Sequence, residues 1–237
     1  MRSLAIIGGL ICSLLSAQVP HTLRTGRELG LLGAGVVLHG AAAVQAMGTH
    51  AGPLPDRALV PPIDRMALDR WDVHAHRASN VLVAATAAGA LTSGVLVQRG
   101  ERPLVPAVIT LETVLLTSGL TNIVKEWVAR PRPYAYGDQA PEHLRSSDEA
   151  RLSFWSGHTA NTAALAFSTA AMIDRSDASP EARALAWVGA GVLPATVGLL
   201  RVKAGRHFPT DVLVGCAVGA AIGLLVPALH DQQWVRP

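Results

Sequence analysis

Cysteine is nearly missing from this chain of 237 residues, which has only Cys12 and Cys216, each inside an apolar stretch. That excludes a disulfide framework and a cysteine-based metal cluster, and leaves both as small packing residues. Charge is scarce as well, at 16% of residues, against about 25% in average soluble proteins. Aromatics supply only 4%, so the 50% apolar content rests mainly on Ala, Leu and Val. A net charge of +3 is too small to hold a nucleic-acid backbone, and no such partner is expected. Alternating polar and apolar residues are also absent, which removes a half-buried sheet and leaves an all-α fold class. His74 and His76 have a ligand-like spacing. No acidic or cysteine cluster accompanies them, and they read as loop residues.

The apolar residues come in long pieces. They run over 29–48, 79–98, 103–124, 159–173, 184–200 and 212–229, each 15 to 22 residues, near the roughly 20 needed to cross a bilayer. The expected architecture is a transmembrane bundle of about six helices. Glu112 is the acidic exception, and a carboxyl there should face the bundle interior with a polar partner. Gly215, Gly219 and Gly223 form a stripe of small residues that lets helix backbones approach closely. Residues 1–17 carry one arginine and a short apolar run, which fits a cleaved signal peptide or a retained anchor. The main domain is expected over 28–232.

Two polar connections interrupt the helices. Residues 49–78 begin with four prolines and should be irregular there. The mixed-charge stretch that follows reads as a surface or interfacial helix with Trp71 at the boundary. Residues 130–155 form a long link of the kind that covers or admits to a site. Arg130, Arg145 and Arg151 in it read as solvated loop charge.

Three short strings carry the chemistry. Lys125 is followed seven positions later by Arg132 and Pro133; then come Ser156, Gly157 and His158; then Arg201, His207 and Asp211 in the spacing R-x5-H-x3-D. Together they offer three cations, a Ser-Gly turn with free backbone N–H groups, and two histidines, one with a carboxylate four residues on. Breaking a phosphoester requires charge neutralisation, a nucleophile and a proton donor, and these residues supply each without a metal. No metal or other cofactor is expected. Pro209 allows a helix to start after His207, which puts Asp211 on the same face, able to hold the imidazole N–H.

These strings resemble the type 2 phosphatidic acid phosphatase (PAP2) superfamily, whose pattern is K-x6-R-P, then P-S-G-H, then S-R-x5-H-x3-D. Here they read KEWVARPRP, WSGH and LRVKAGRHFPTD, and the resemblance covers about residues 122–214. Trp155 stands in place of the usual proline and Leu200 in place of the usual serine; neither is a charge or a nucleophile. The resemblance implies that His207 is the nucleophile, Asp211 its orienting acid and His158 the acid and base. It also implies that Lys125, Arg132, Ser156, Gly157 and Arg201 bind phosphate.

A phosphate pocket at a membrane face suits a lipid substrate, a phospholipid or isoprenyl phosphate or diphosphate whose tail stays in the bilayer. The same pocket could hold vanadate for halide oxidation, and a non-catalytic protein that binds or transports anionic lipid is a third reading. Arginines at 99, 102, 175 and 183 lie on the side away from the motifs. The positive-inside rule makes that side cytoplasmic, with the active site facing the periplasm or exterior of a bacterial inner membrane. A cleaved leader would conflict with six spans of that polarity. Oligomeric state is not legible.

Overall fold

A computed structural model describes residues 21–48, 53–97 and 104–231. The 1–17 leader, Cys12 and the arginines at 99 and 102 lie outside the described residues. Six long helices make the architecture: α1 (Thr25–Gln45), α2 (Val73–Val97), α3 (Leu104–Val128), α4 (Gly157–Asp174), α5 (Pro180–Lys203) and α6 (Pro209–Leu229). Among the described residues there is no strand, and only an isolated bridge pairs His21 with Asp231. Local chemistry sets the helix starts. Asp72, Ser156 and Ser179 accept hydrogen bonds from first-turn amides of α2, α4 and α5, and Pro180 and Pro209 occupy first-turn positions.

α4 is the centre of the bundle and packs against α2, α3, α5 and α6. Eleven of its 18 residues are buried, mostly Ala, Ser and Thr, so neighbouring backbones come close on every side. The glycine stripe of α6 supplies the tightest of these contacts. A Cβ on Gly215 would sit 2.7 Å from the Ser156 carbonyl oxygen, and on Gly219 and Gly223 closer still to those of Ala160 and Ala164. α1 joins through a second pair: a Cβ on Gly35 would lie 2.8 Å from the Leu115 side chain, and one on Gly119 2.8 Å from that of Leu38.

Among the described residues, four helices are long and apolar enough to cross a membrane: α1, α3 with the turn after it, α5 and α6. Leu29, Val36 and Val37 on α1 and Leu185, Val192 and Leu199 on α5 project outward, where lipid is their favourable solvent. α4 falls outside that group because its neighbours shield it, so its sequence has no need to be oily. The molecule is a transmembrane helical bundle. Glu112 faces the interior as expected, with Oε2 3.1 Å from His230 Nε2.

Three expectations are corrected. His74 and His76 belong to the first turn of α2, because Asp72 starts a helix where the histidine spacing suggested a loop. Residues 64–72 make only the short 3-10 turn Arg65–Ala67, and Trp71 packs edge-on to Tyr134 with ring centroids 5.5 Å apart. The long link after α3 is a packed cap with its own small core of Tyr134, Ala135, Ala140 and Ala150. Arg145 braces it by donating to the carbonyls of Ala140 (3.0 Å) and Gly137 (3.2 Å), so its charge is engaged in the fold.

The glycine stripe is directly testable. Gly219→Ala should lower stability by about 1–3 kcal/mol, because the methyl group must push α6 off α4. Gly30→Ala on α1, where a Cβ meets nothing within 4 Å, should be neutral or stabilising by up to about 1 kcal/mol. Thermal unfolding of both variants in one detergent decides it; equal midpoints would refute the close-approach account.

Candidate active site

The R-x5-H-x3-D string is a helix stop, a turn and a helix start. α5 ends in a Schellman turn: Arg206 N–H reaches back to the Arg201 carbonyl (3.1 Å) and Gly205 N–H to that of Val202 (3.0 Å). Gly205 has φ +67°, and any side chain there would overlap the Arg70 carbonyl. Two residues later comes His207; Phe208 then caps α6, and Asp211 in its first turn accepts the Phe208 N–H (2.9 Å). Arg201 and His207 are thereby fixed on either side of one tight corner.

Ser156, Gly157 and His158 begin α4. The Ser156 hydroxyl is buried and accepts from Thr159, and its N–H donates to the Asp211 carbonyl at 3.0 Å. The Ser156 N–H, expected to bind phosphate, is thus engaged within the fold, while the hydroxyl oxygen accepts at the helix start and keeps its own proton to donate. The amides of Gly157 and His158 belong to the first turn, which has no intrahelical acceptor for them. Trp155, the departure from proline, is buried and donates its indole N–H to Thr121 (2.8 Å), so a side-chain bond fixes the position.

Lys125 lies in the last turn of α3. The chain then reverses through Ala129, at φ +46°, whose N–H still reaches the Lys125 carbonyl (2.9 Å). Arg132 is 2% exposed and is held by the Glu149 carbonyl (2.8 Å), the Glu149 carboxylate and the Arg206 carbonyl (3.3 Å).

These elements converge. Burial pushes the His207 imidazole well below its ordinary range, and the charges of Arg132, Arg201, Lys125 and His158 push it further. His158 is lowered to about 3, first by burial and then by Arg201 and Lys125. All three cations therefore bear on both histidines from the three separate strings. The His207 tautomer follows from its surroundings. Nδ1 lies 2.7 Å from the Ser153 carbonyl, which can only accept, so Nδ1 carries the proton. Nε2 is left with its lone pair and no partner.

Asp211 was expected to hold that imidazole proton, but its carboxylate is 3.8 Å from Nδ1. Instead it accepts from the Ser153 hydroxyl (2.6 Å), from Phe208 N–H and from Arg130. Asp211 acts on His207 through Ser153, whose hydroxyl it holds and whose carbonyl holds the ring. Arg130 is a correction too: it bridges Asp211 to the fully buried Asp64 (2.7 Å) and lies over the Phe208 ring, 4.2 Å from its centroid. Asp64 in turn accepts from Thr210 N–H (3.0 Å) and its hydroxyl (2.7 Å).

Sequence reasoning missed the contribution of α2. Arg201 donates to Nδ1 of His76 (2.8 Å) and towards Ser79 (3.4 Å), and Asn80 Oδ1 is 2.8 Å from Nε2 of His158. The spacing of positions 76, 79 and 80 on one helical face was the available signal.

A model of the PAP2 superfamily matches residues 106–234, just over half the chain. Phosphatidylglycerophosphatase B of Bacillus subtilis (strain 168) is 34% identical over 115 residues, 48% of this chain and 52% of the relative. Lipid A 1-phosphatase of Rhizobium johnstonii is 31% identical over 115 residues, 48% of this chain and 43% of the relative. The matched stretch thus spans about half the length of these curated relatives. Among solved structures, a transmembrane PAP2 type phosphatidylglycerolphosphate phosphatase from Bacillus subtilis shares the fold with a TM-score of 0.53. That alignment has 22% identity and covers 88% of this chain and 97% of the other.

The histidine electrostatics have a spectroscopic consequence. A lowered pKa keeps the neutral ring to lower pH, so His207 should be the Nδ1–H tautomer from pH 8 to well below 6.5. Bound inorganic phosphate should raise its midpoint by offsetting the cations. Nitrogen NMR on histidine-labelled protein reads both; an Nε2–H tautomer or an unshifted midpoint would contradict the geometry.

Proposed function

We propose, from the premise that this chain belongs to the PAP2 superfamily, that it is a phosphatase cleaving a lipid phosphate or diphosphate through a phosphohistidine, without a metal in the reaction. The observation that carries the reading is the bare Nε2 of buried His207 beside three cations and a second histidine. In the first step Nε2 attacks phosphorus and the bond to the leaving oxygen breaks. His158 gives that oxygen its proton; the phosphate charge brought by the substrate restores the proton affinity that the empty site suppresses. His158 then takes a proton from water, the water oxygen bonds to phosphorus and the N–P bond breaks, releasing phosphate.

Lys125, Arg132 and Arg201 neutralise the phosphoryl oxygens, and the first-turn amides of Gly157 and His158 add donors at the positive end of α4. Ser156 and Asp211 serve by position: one starts α4, the other fixes the Ser153 carbonyl that orients His207. A lipid substrate is favoured by two features. The transmembrane helices bring the headgroup site to one end of a bundle set in lipid. A cavity of about 270 Å³ between α2, α4 and α5, lined by Leu82, Thr86, Ala166, Ile173 and Leu193, offers an apolar place for part of a tail. A phospholipid phosphate such as phosphatidylglycerol phosphate leads the candidates, with phosphatidic acid, isoprenyl diphosphate and lipid A behind it. Arg175 and Arg183 at the other end of the bundle favour an active site on the outer side of a bacterial cytoplasmic membrane.

Purified protein given a panel of these lipids should release phosphate from at least one, with no added divalent cation. His207→Ala should abolish turnover and the acid-quenched transfer of labelled phosphate to protein, and Arg201→Ala should reduce kcat/KM by about 10²–10³-fold. Full turnover by His207→Ala would defeat the nucleophile assignment. No phosphate release from any lipid would defeat the function.

A further inference from the structure

At the end of the bundle away from the phosphate site, three elements bring Glu28, Glu112 and His230 together. Glu112 is thirteen residues before Lys125 on α3, about 20 Å along the helix. His230 follows the last turn of α6, whose first turn holds Asp211. We propose that these three residues form a site for one divalent transition-metal ion of zinc-like coordination, which fastens α1, α3 and the end of α6.

His230 is fully buried. Its Nδ1 lies 2.8 Å from the Val226 carbonyl, an acceptor only, so Nδ1 carries the proton and Nε2 presents its lone pair. A backbone carbonyl on the far ring nitrogen is the usual orienting contact of a metal-bound histidine. That lone pair faces Glu28 Oε1 and Glu112 Oε2, each 3.1 Å away. Glu28 Oε1 also accepts from Arg27 Nε (3.0 Å) and Nη2 (2.7 Å), whereas Glu112 Oε2 and His230 Nε2 meet no arginine or lysine. One ligand atom from each residue lies within 4.8 Å of the others. Tetrahedral zinc, with bonds of about 2.0–2.2 Å, sets its ligands roughly 3.3–3.5 Å apart.

A proton on Nε2 would be the simpler cation. With both oxygens 3.1 Å from Nε2 it would make an ion pair there instead, and absence of the cobalt absorption would mark it. The second, independent sign is Glu112 itself. It is 0% exposed, and neither of its oxygens meets any hydrogen-bond donor. A buried carboxylate left so is costly. Glu28 already has its cation, Arg27, at 2.7 Å, so the unmet charge is that of Glu112. Three protein ligands also leave a fourth position for water, which a mixed histidine and carboxylate zinc site takes readily.

The test uses the full chain with any affinity tag removed, stripped of metal in detergent and then titrated with zinc or cobalt(II). Wild type should bind one equivalent more than Glu112→Gln, gain several degrees in unfolding temperature with saturating zinc, and give the intense visible absorption of four-coordinate cobalt. Glu28→Gln, nearer the surface, should weaken binding at least tenfold. Zinc taken up by histidines of the phosphate site would survive both substitutions. Equal stoichiometry in wild type and Glu112→Gln, or an unfolding temperature indifferent to zinc in wild type, overturns the proposal. Because Gln keeps the shape of Glu, far-UV circular dichroism of each variant separates lost binding from lost fold. If neither variant folds, absence of the cobalt absorption in wild type still overturns it.

Discussion

Positive charge held out of water is the constraint on which the rest of this structure depends. Arg132 and Arg201 are 2% and 3% exposed, and Lys125 acts on the same two histidines. Burying a cation is expensive unless something of opposite charge meets it. Arg132 has Glu149, but that carboxylate is half exposed and stands on the loop side. Arg201 is met by neutral acceptors, His76 and Ser79, and its Nε has no partner. The side chains around Arg132 and Arg201 therefore leave positive charge in excess. On the proposed function a phosphate would supply the opposite charge, so binding would relieve a cost the fold already bears, most where phosphoryl charge is greatest.

Such a site survives only if its parts cannot move apart, and Asp211 is the tie. Its side chain holds Ser153, Phe208 and Arg130, and its backbone carbonyl holds Ser156. One residue thus connects the starts of α4 and α6, the strand of loop that orients His207 and, through Arg130 and Asp64, the polar segment before α2. The simple picture of a carboxylate gripping its histidine gives way to an indirect one. The neutral Ser153 carbonyl sets the tautomer, and the carboxylate keeps that carbonyl in place. A neutral acceptor also leaves His207 less basic than a carboxylate would, which suits a ring that must stay unprotonated among cations.

Much of this was legible in the sequence for a specific reason. Each motif is also a local folding instruction: Arg201 to Asp211 spells helix stop, turn and helix start, and Ser156 to His158 spells a cap and a first turn. Side-chain chemistry and backbone geometry are written in the same few residues, so spacing alone carried both. Glu112 was legible as a buried polar contact because an acid in an apolar run must find a partner. Asp64, Asn80 and Arg130 were not, since their meaning lies in contacts some 65 to 80 residues away in the chain. His76 was read as a loop residue because its spacing was weighed against metal ligands, while Asp72 as a helix cap went unweighed. The Asp211 contact failed for a subtler reason. Four-residue spacing puts a side chain on the right face but does not choose between two acceptors there.

The division of labour along the chain follows from the same contacts. α3, from its third residue, to α6 lie within the stretch that the family model matches, and that stretch contains all three motifs. α2 lies outside it, yet its first two turns touch Arg201 and His158, and its next two line the apolar cavity with Leu82, Thr86, Gly89 and Ala90. One helix therefore meets Arg201 and His158 with its start and lines the cavity with its middle. Changes in the middle of α2 would alter the cavity alone, while changes at its start would also reach Arg201 and His158. On the proposed function, substrate choice could be redrawn through the middle of this one helix while all three motifs are kept.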